Sequence, residues 1–307
     1  MPARLSTLLL LLLLPAAAPS AQAEDAFAAE LAQWRAQREA GLVRDDGWAA
    51  LVALHWLDDR RATAIGSHPD DGLRLASLPP HWGRIGRDDG RWRLHLADAA
   101  GVEVDGAAAD GPAVDLVSDL EAGRRAVPAT RVRAGTVRMT LIERGGRHAL
   151  RVWDEQAPSR VGFAGLEHFP ADPSWRIEGT WVAHQPARSI DIATVINTVE
   201  PSANPGAVEF ERDGRRHRLE VLAEPDADQL FVIFADRSNR RATYGAGRYL
   251  YADRPGPDGR VVLDFNRAYN PPCAFTAHAT CPLPPPENRL DLAVEAGELR
   301  YRGPVGK

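Results

Sequence analysis

Only two cysteines occur in the chain, and none in the first 23 residues, so a bacterial lipid anchor would find no acceptor thiol there. No apolar run approaches the roughly 20 residues that a membrane-spanning helix needs, and no membrane span is expected. Charge of either sign is never gathered into blocks: 37 Lys and Arg stand against 42 Asp and Glu, a net of −5. Such a mixed, mildly acidic surface argues against nucleic acid or an anionic membrane as a partner. Signature motifs are missing too. There is no G-x-S-x-G elbow, no H-E-x-x-H, no G-x-x-x-x-G-K-[ST] and no EF-hand loop. Gly245-Ala246-Gly247 starts like a dinucleotide fingerprint but lacks the third glycine and a βαβ frame, so it reads as a turn and no cofactor is expected.

What is present begins with a leader. Arg4, the leucine run Leu8 to Leu14 and the small residues ending in Ala21-Gln22-Ala23 form the n-region, h-region and A-x-A site of a cleavable secretion signal. Residues 1–23 are therefore expected to be removed, and the protein to act in the periplasm or outside the cell. The remainder is long enough for one large domain or two modest ones.

Residues 24–60 read as a helical pair. Phe27, Leu31 and Trp34 mark one stripe, with Gly41 as a stop; Trp48, Leu51, Val52 and His55 mark a second after Asp45-Asp46. From Arg61 onward the period becomes two. Trp92, Leu94 and Leu96, then Val137, Met139 and Leu141, then Trp175, Ile177 and Trp181 alternate with polar or small residues, as half-buried antiparallel strands do. Asp89-Gly90, Gly145-Gly146, Asp213-Gly214 and Asp258-Gly259 supply turn residues between such runs. Gln229 to Ala235 is nearly all apolar, as in a strand buried on both faces. The fold class expected is mainly β, an antiparallel sandwich or barrel-like body behind an N-terminal helical pair. The Ala99–Pro128 stretch suggests a division into a smaller β-unit, 61–128, and a larger one, 129–307.

Chemistry-bearing residues crowd into a proline-rich segment, 264–289. Prolines fix local φ and lower the entropy of the unfolded loop, so it should be ordered without being helix or sheet. Asp264 and Glu287 are its candidate acid/base carboxylates. Asn266, Tyr269, Asn270 and Asn288 are candidate substrate-orienting groups, although Asp and Asn also cap turns. Upstream, Tyr244 and Arg248 flank a glycine turn that brings backbone close to something. Arg248 either clamps an anionic ligand or pairs internally with Asp236 or Asp264. Cys273 and Cys281 read first as a disulfide, which suits an exported chain. Free reactive thiols, or a metal held with His278 and a carboxylate, stay open, and no metal is assigned. Arg151 reads as a strand-end partner of Asp154, and His55 as a core histidine.

The runs DFNRAYNPPCAFT and TCPLPPPENRL, with TYGAGRYLY upstream and DGWAALVALHWL near the start, resemble the bacterial and archaeal family known as domain of unknown function 1684. The resemblance extends over nearly all of the chain after the leader. It implies no activity, and the family pattern often carries an aromatic residue where His278 stands. Two functions follow from the residues themselves. One is a small-molecule enzyme, conceivably hydrolytic, with a polar pocket roofed by the proline-rich loop. The other is a non-catalytic β-module that binds a ligand or a cell-envelope component. A small polar or anionic molecule is the expected partner in both.

Overall fold

The computed structural model describes residues 21–306, so the expected leader lies, but for its last three residues, outside the described residues. The first element is the helix Ala21–Leu42. Leu31 and Leu42 on its inner stripe are buried, with Phe27 and Trp34 partly so. Polar grips do much of the docking. Arg35 donates to the Phe169 carbonyl at 3.2 Å, Arg38 to Glu298 at 3.0 Å and to the Asn270 carbonyl at 2.9 Å, and Glu39 accepts the Leu166 N–H at 2.8 Å.

The second expected helix is not there. Gly47 lies so close to the helix end that a Cβ on it would sit 2.3 Å from the Leu42 carbonyl oxygen. After one short 3-10 turn, Leu51–Trp56 is a β-strand paired antiparallel with Arg147–Asp154. The i, i+3, i+4, i+7 stripe was real, but Leu-Val-Ala-Leu-His-Trp is apolar enough to suit either period. A waiting strand partner decided between them.

The molecule is mainly β, and its ladders are antiparallel apart from the short pairing of Thr63–Gly66 with Leu73–Arg74. A six-stranded sheet runs in the order Leu51–Trp56, Arg147–Asp154, Val137–Arg144, Arg131–Ala134, Val102–Val104, Ala107–Ala108. A five-stranded sheet runs Leu73–Arg74, Thr63–Gly66, Gly83–Asp88, Arg91–Leu96, Ala113–Leu116. Trp82, Trp92, Ile65 and Leu94 from the second and Met139, Leu141 and Val152 from the first share one core. Strands on either side of Pro128 pair with each other, so the sheets do not divide there; this first unit runs on to Asp154.

The second unit is a half-barrel. Arg215–Val221, Val199–Arg212, Arg176–Ala193 and Arg260–Asp264 form four strands in that order. Reciprocal backbone bonds of 2.8 Å between Leu222 and Phe231 carry the sheet on to the pair Gln229–Phe234 and Arg248–Asp253. Its core gathers Trp175, Phe210 and Phe234 around Phe265, with ring centroids 5.5–6.0 Å away. Leu230, Val232 and Phe234 face this core while Ile233 faces another cluster, which makes that strand apolar on both sides, as its sequence requires.

Three of the four glycine turns close two-residue hairpins, with φ of 48° and 78° at Asp89-Gly90, 54° and 72° at Gly145-Gly146, and 54° and 70° at Asp213-Gly214. Asp258-Gly259 instead leads into Arg260–Asp264, which pairs with Arg176–Thr180. Among the described residues no helix is long and apolar enough to cross a membrane.

Candidate functional site

The proline-rich segment is ordered as expected, with 3-10 turns at Phe265–Arg267, Pro272–Ala274 and Pro286–Asn288. Its polar side chains, however, bond inward. Asp264 caps the first turn, accepting from the Asn266 backbone at 3.1 Å and its side chain at 3.0 Å. Asn266, fully buried, also grips Asp172 at both its N–H, 3.0 Å, and its carbonyl, 2.9 Å. Asn288 accepts the Glu220 N–H at 2.7 Å and donates to the carbonyls of Glu220 and Ile233 at 2.8 and 2.9 Å. Asn270 sends its backbone N–H to Glu298 at 2.7 Å and its side-chain N–H to the Leu299 carbonyl at 2.7 Å. These amides read the protein's own backbone.

The rest of the expected set disperses likewise. Arg248 has no solvent exposure and takes the internal pairing: Asp236 at 2.9 Å, with the carbonyls of Val294 and Ala296 at 2.8 and 2.5 Å. The close approach expected of the glycine turn beside it is real. Gly247, at φ 102°, presses on Pro284, where a Cβ would lie 2.5 Å from the ring. Tyr244 donates to the Cys273 carbonyl at 3.0 Å. Tyr269 sits among Tyr249, Tyr251 and the Arg38 guanidinium, 4.7 Å from its ring centre. Glu287 is exposed, whereas Asp264 is buried in its cap.

Cys273 and Cys281 are free thiols, which corrects the disulfide expectation. They nonetheless touch: the Cys273 N–H donates to the Cys281 sulfur at 3.0 Å. A hydrogen bond from Cys281 pulls the Cys273 thiol below its ordinary range, and that bond together with burial pushes the Cys281 thiol up. Among the described residues no three His, Cys, Asp or Glu side chains converge to hold a metal.

A cleft of about 470 Å³ lies at the seam between the two units. Trp48, Arg144 and Arg151 form the wall from the first unit. The half-barrel contributes Ile192, Leu222, Phe231 and Tyr249, with hydroxyls from Thr194 and Ser202 and one carboxylate, Glu200. The proline-rich loop lines the third side with Pro272 and residues 279–282. Tyr249 is fixed by donating to the Pro282 carbonyl at 2.8 Å, and burial holds its phenol well above its usual range.

Arg151 is the group in this cleft that the fold leaves uncompensated. Its cross-strand neighbours are Leu54 and Thr140, neither charged. Its Nε has no hydrogen-bond partner among the described residues, and Trp48 lies 5.5 Å from its guanidinium carbon. Burial, then the like charge of Arg144, push its pKa down to about 10. Asp119, which favours its charged form, is already held by Arg144 at 2.6 Å. The expected partner, Asp154, is taken by Ser77 and by Thr136 at 2.8 Å. A half-buried cation among aromatic and proline walls has the chemistry to pair with a carboxylate or phosphate.

Residues 161–299 match the family model described as Protein of unknown function (DUF1684). No curated protein matches the chain. Among solved structures, an uncharacterized protein of Haloarcula marismortui determined by solution NMR is 36% identical, over 45% of this chain and 77% of its own, with a TM-score of 0.38. The family match takes in the half-barrel and the proline-rich loop. The Trp48, Arg144 and Arg151 wall precedes it, as does DGWAALVALHWL, so the match is narrower than the resemblance suggested.

Proposed function

Taking the chain as a member of the family of proteins of unknown function DUF1684, we propose that it is an exported binding module whose seam cleft holds a small anionic organic molecule. The observation that carries this reading is Arg151, a half-buried guanidinium with no acceptor at Nε among the described residues, facing a cleft with aromatic and proline walls. Leaving a charge so placed is costly unless a ligand offsets it. Thr194, Ser202 and Thr280 offer hydroxyls to the ligand's polar edges, and Tyr249 and Phe231 cover its flat faces. The enzymatic reading rested on Asp264 and Glu287, which do not line this cleft, and that favours binding over catalysis.

The test uses protein collected after export, whose intact mass reports loss of the leader through Ala23. Calorimetric titration with benzoate, phenyl phosphate and glucuronate, and with neutral benzamide as control, should find an anion that binds while benzamide does not. Arg151→Met should weaken that binding about tenfold or more, since one charge-assisted contact is worth about 1.5–3 kcal/mol. Equal binding by the variant, or no response to any anion, rejects the reading.

A further inference from the structure

A second depression, about 790 Å³, lies over the outward face of the six-stranded sheet and meets the seam cleft at Arg151, which lines both. We infer that this trough extends the binding site, and that the ligand is a chain: an acidic oligosaccharide whose carboxylate end rests on Arg151. The inference rests on the cleft reading and narrows it to one class of ligand.

The chemistry of the trough selects that class. Arg133, Arg138 and Trp153 are successive cross-strand partners, one on each of three neighbouring strands, and so stand about 5 Å apart in a row. Arg151 lies two residues along from Trp153, about 7 Å further toward the cleft. Arg138 is paired with Asp45 at 2.8 Å and with Glu155 at 3.2 Å, and Arg133 with Glu155 at 3.4 Å, but among the described residues Nε of Arg133, Arg138 and Arg151 and the Trp153 indole N–H have no partner. The row is rich in donors, which suits a ligand with acceptor oxygens at repeated intervals.

Other linear ligands fit less well. Asp46, Glu103, Asp105 and Asp119 line the same trough and would repel a densely charged polyanion such as polyphosphate more than a chain whose charges are spaced a sugar ring apart. Those carboxylates can instead accept from sugar hydroxyls. A peptide would gain its usual backbone ladder at a sheet edge, but the trough covers the inner strands Arg131–Ala134, Val137–Arg144 and Arg147–Asp154. An acyl chain would leave the donors and ion pairs dry and unsatisfied. Hydroxylated rings with spaced carboxylates answer each feature, and Trp153 and Trp48, on either side of Arg151, offer the aromatic faces on which sugar rings pack.

The experiment titrates galacturonate, tetragalacturonate and neutral maltotetraose into the wild type, Arg151→Met, Trp153→Ala and Arg138→Gln. The tetramer should bind the wild type at least about tenfold more tightly than the monomer, with maltotetraose weaker than either acid. Trp153→Ala and Arg138→Gln should erase the advantage of length, and Arg151→Met should weaken both acids. Equal affinity for monomer and tetramer overturns the extension and leaves the cleft reading standing. Binding of benzoate or phenyl phosphate without either uronate overturns the choice of saccharide. Failure of every anion removes the reading on which the inference rests.

Discussion

Arg248 and Arg151 both project from β-strands and both lose much of their hydration, yet the half-barrel core and the seam treat them in opposite ways. Around Arg248 the core has assembled a carboxylate, two carbonyls and the Phe234 ring, whose centre is 5.3 Å from the guanidinium carbon. Around Arg151 the seam supplies Trp48 and open space. Burial lowers the pKa of both. In the core, Asp236 opposes that shift at contact distance; at the seam, the opposing carboxylate is engaged elsewhere. A buried charge matched by a carboxylate and two carbonyls, as Arg248 is through its two terminal nitrogens, reports how the protein holds itself together. One left without them points to what the protein holds.

The sharpest way to break this contrast is to remove each charge in turn. Arg248→Met strands Asp236 in a dry interior, and a loss of about 3–5 kcal/mol is expected in chemical denaturation. A loss below about 1 kcal/mol would mean that the core does not depend on the pair. Arg151→Met removes an uncompensated cation, so unfolding free energy should shift by less than about 1 kcal/mol, and upward if at all. Marked destabilisation there would make Arg151 structural and dissolve the comparison.

A third test concerns His168, beneath the N-terminal helix. Burial, reinforced by Arg35, lowers its pKa to about 4 from 6.5. The unfolded chain therefore binds the proton first, so this group erodes stability as pH falls from about 6.5 toward 4 and contributes nothing above. Melting temperature should drop between pH 7 and pH 5, and less steeply in His168→Gln. Identical slopes would show that other groups set the acid limb.

Local patterns were the legible part of the sequence. Alternation placed Trp92, Leu94 and Leu96 and Val137, Met139 and Leu141 in the core, and Asp-Gly and Gly-Gly pairs marked three hairpins, because strand period and turn geometry depend on near neighbours. The pairing of Leu51–Trp56 with Arg147–Asp154 spans about a hundred residues, and no local signal could choose strand over helix there or reveal that the sheet ignores Pro128. The proline-rich segment announced its rigidity but not its role. An asparagine that reads backbone, as Asn288 does, uses the same atoms as one that reads a ligand. Arg151 was hidden for a related reason: its isolation is a property of Leu54 and Thr140 beside it, which are neighbours only once the sheet has formed.

The grip of the first helix has a consequence in time. Arg38 holds Glu298, 260 positions later in the chain, and Arg35 and Glu39 reach to Phe169 and Leu166. A chain threaded out from its amino end thus presents its first helix long before the residue that receives Arg38 has emerged. With few buried apolar side chains of its own, that helix has little to hold it meanwhile. Its docking onto Glu298 waits until that residue has emerged.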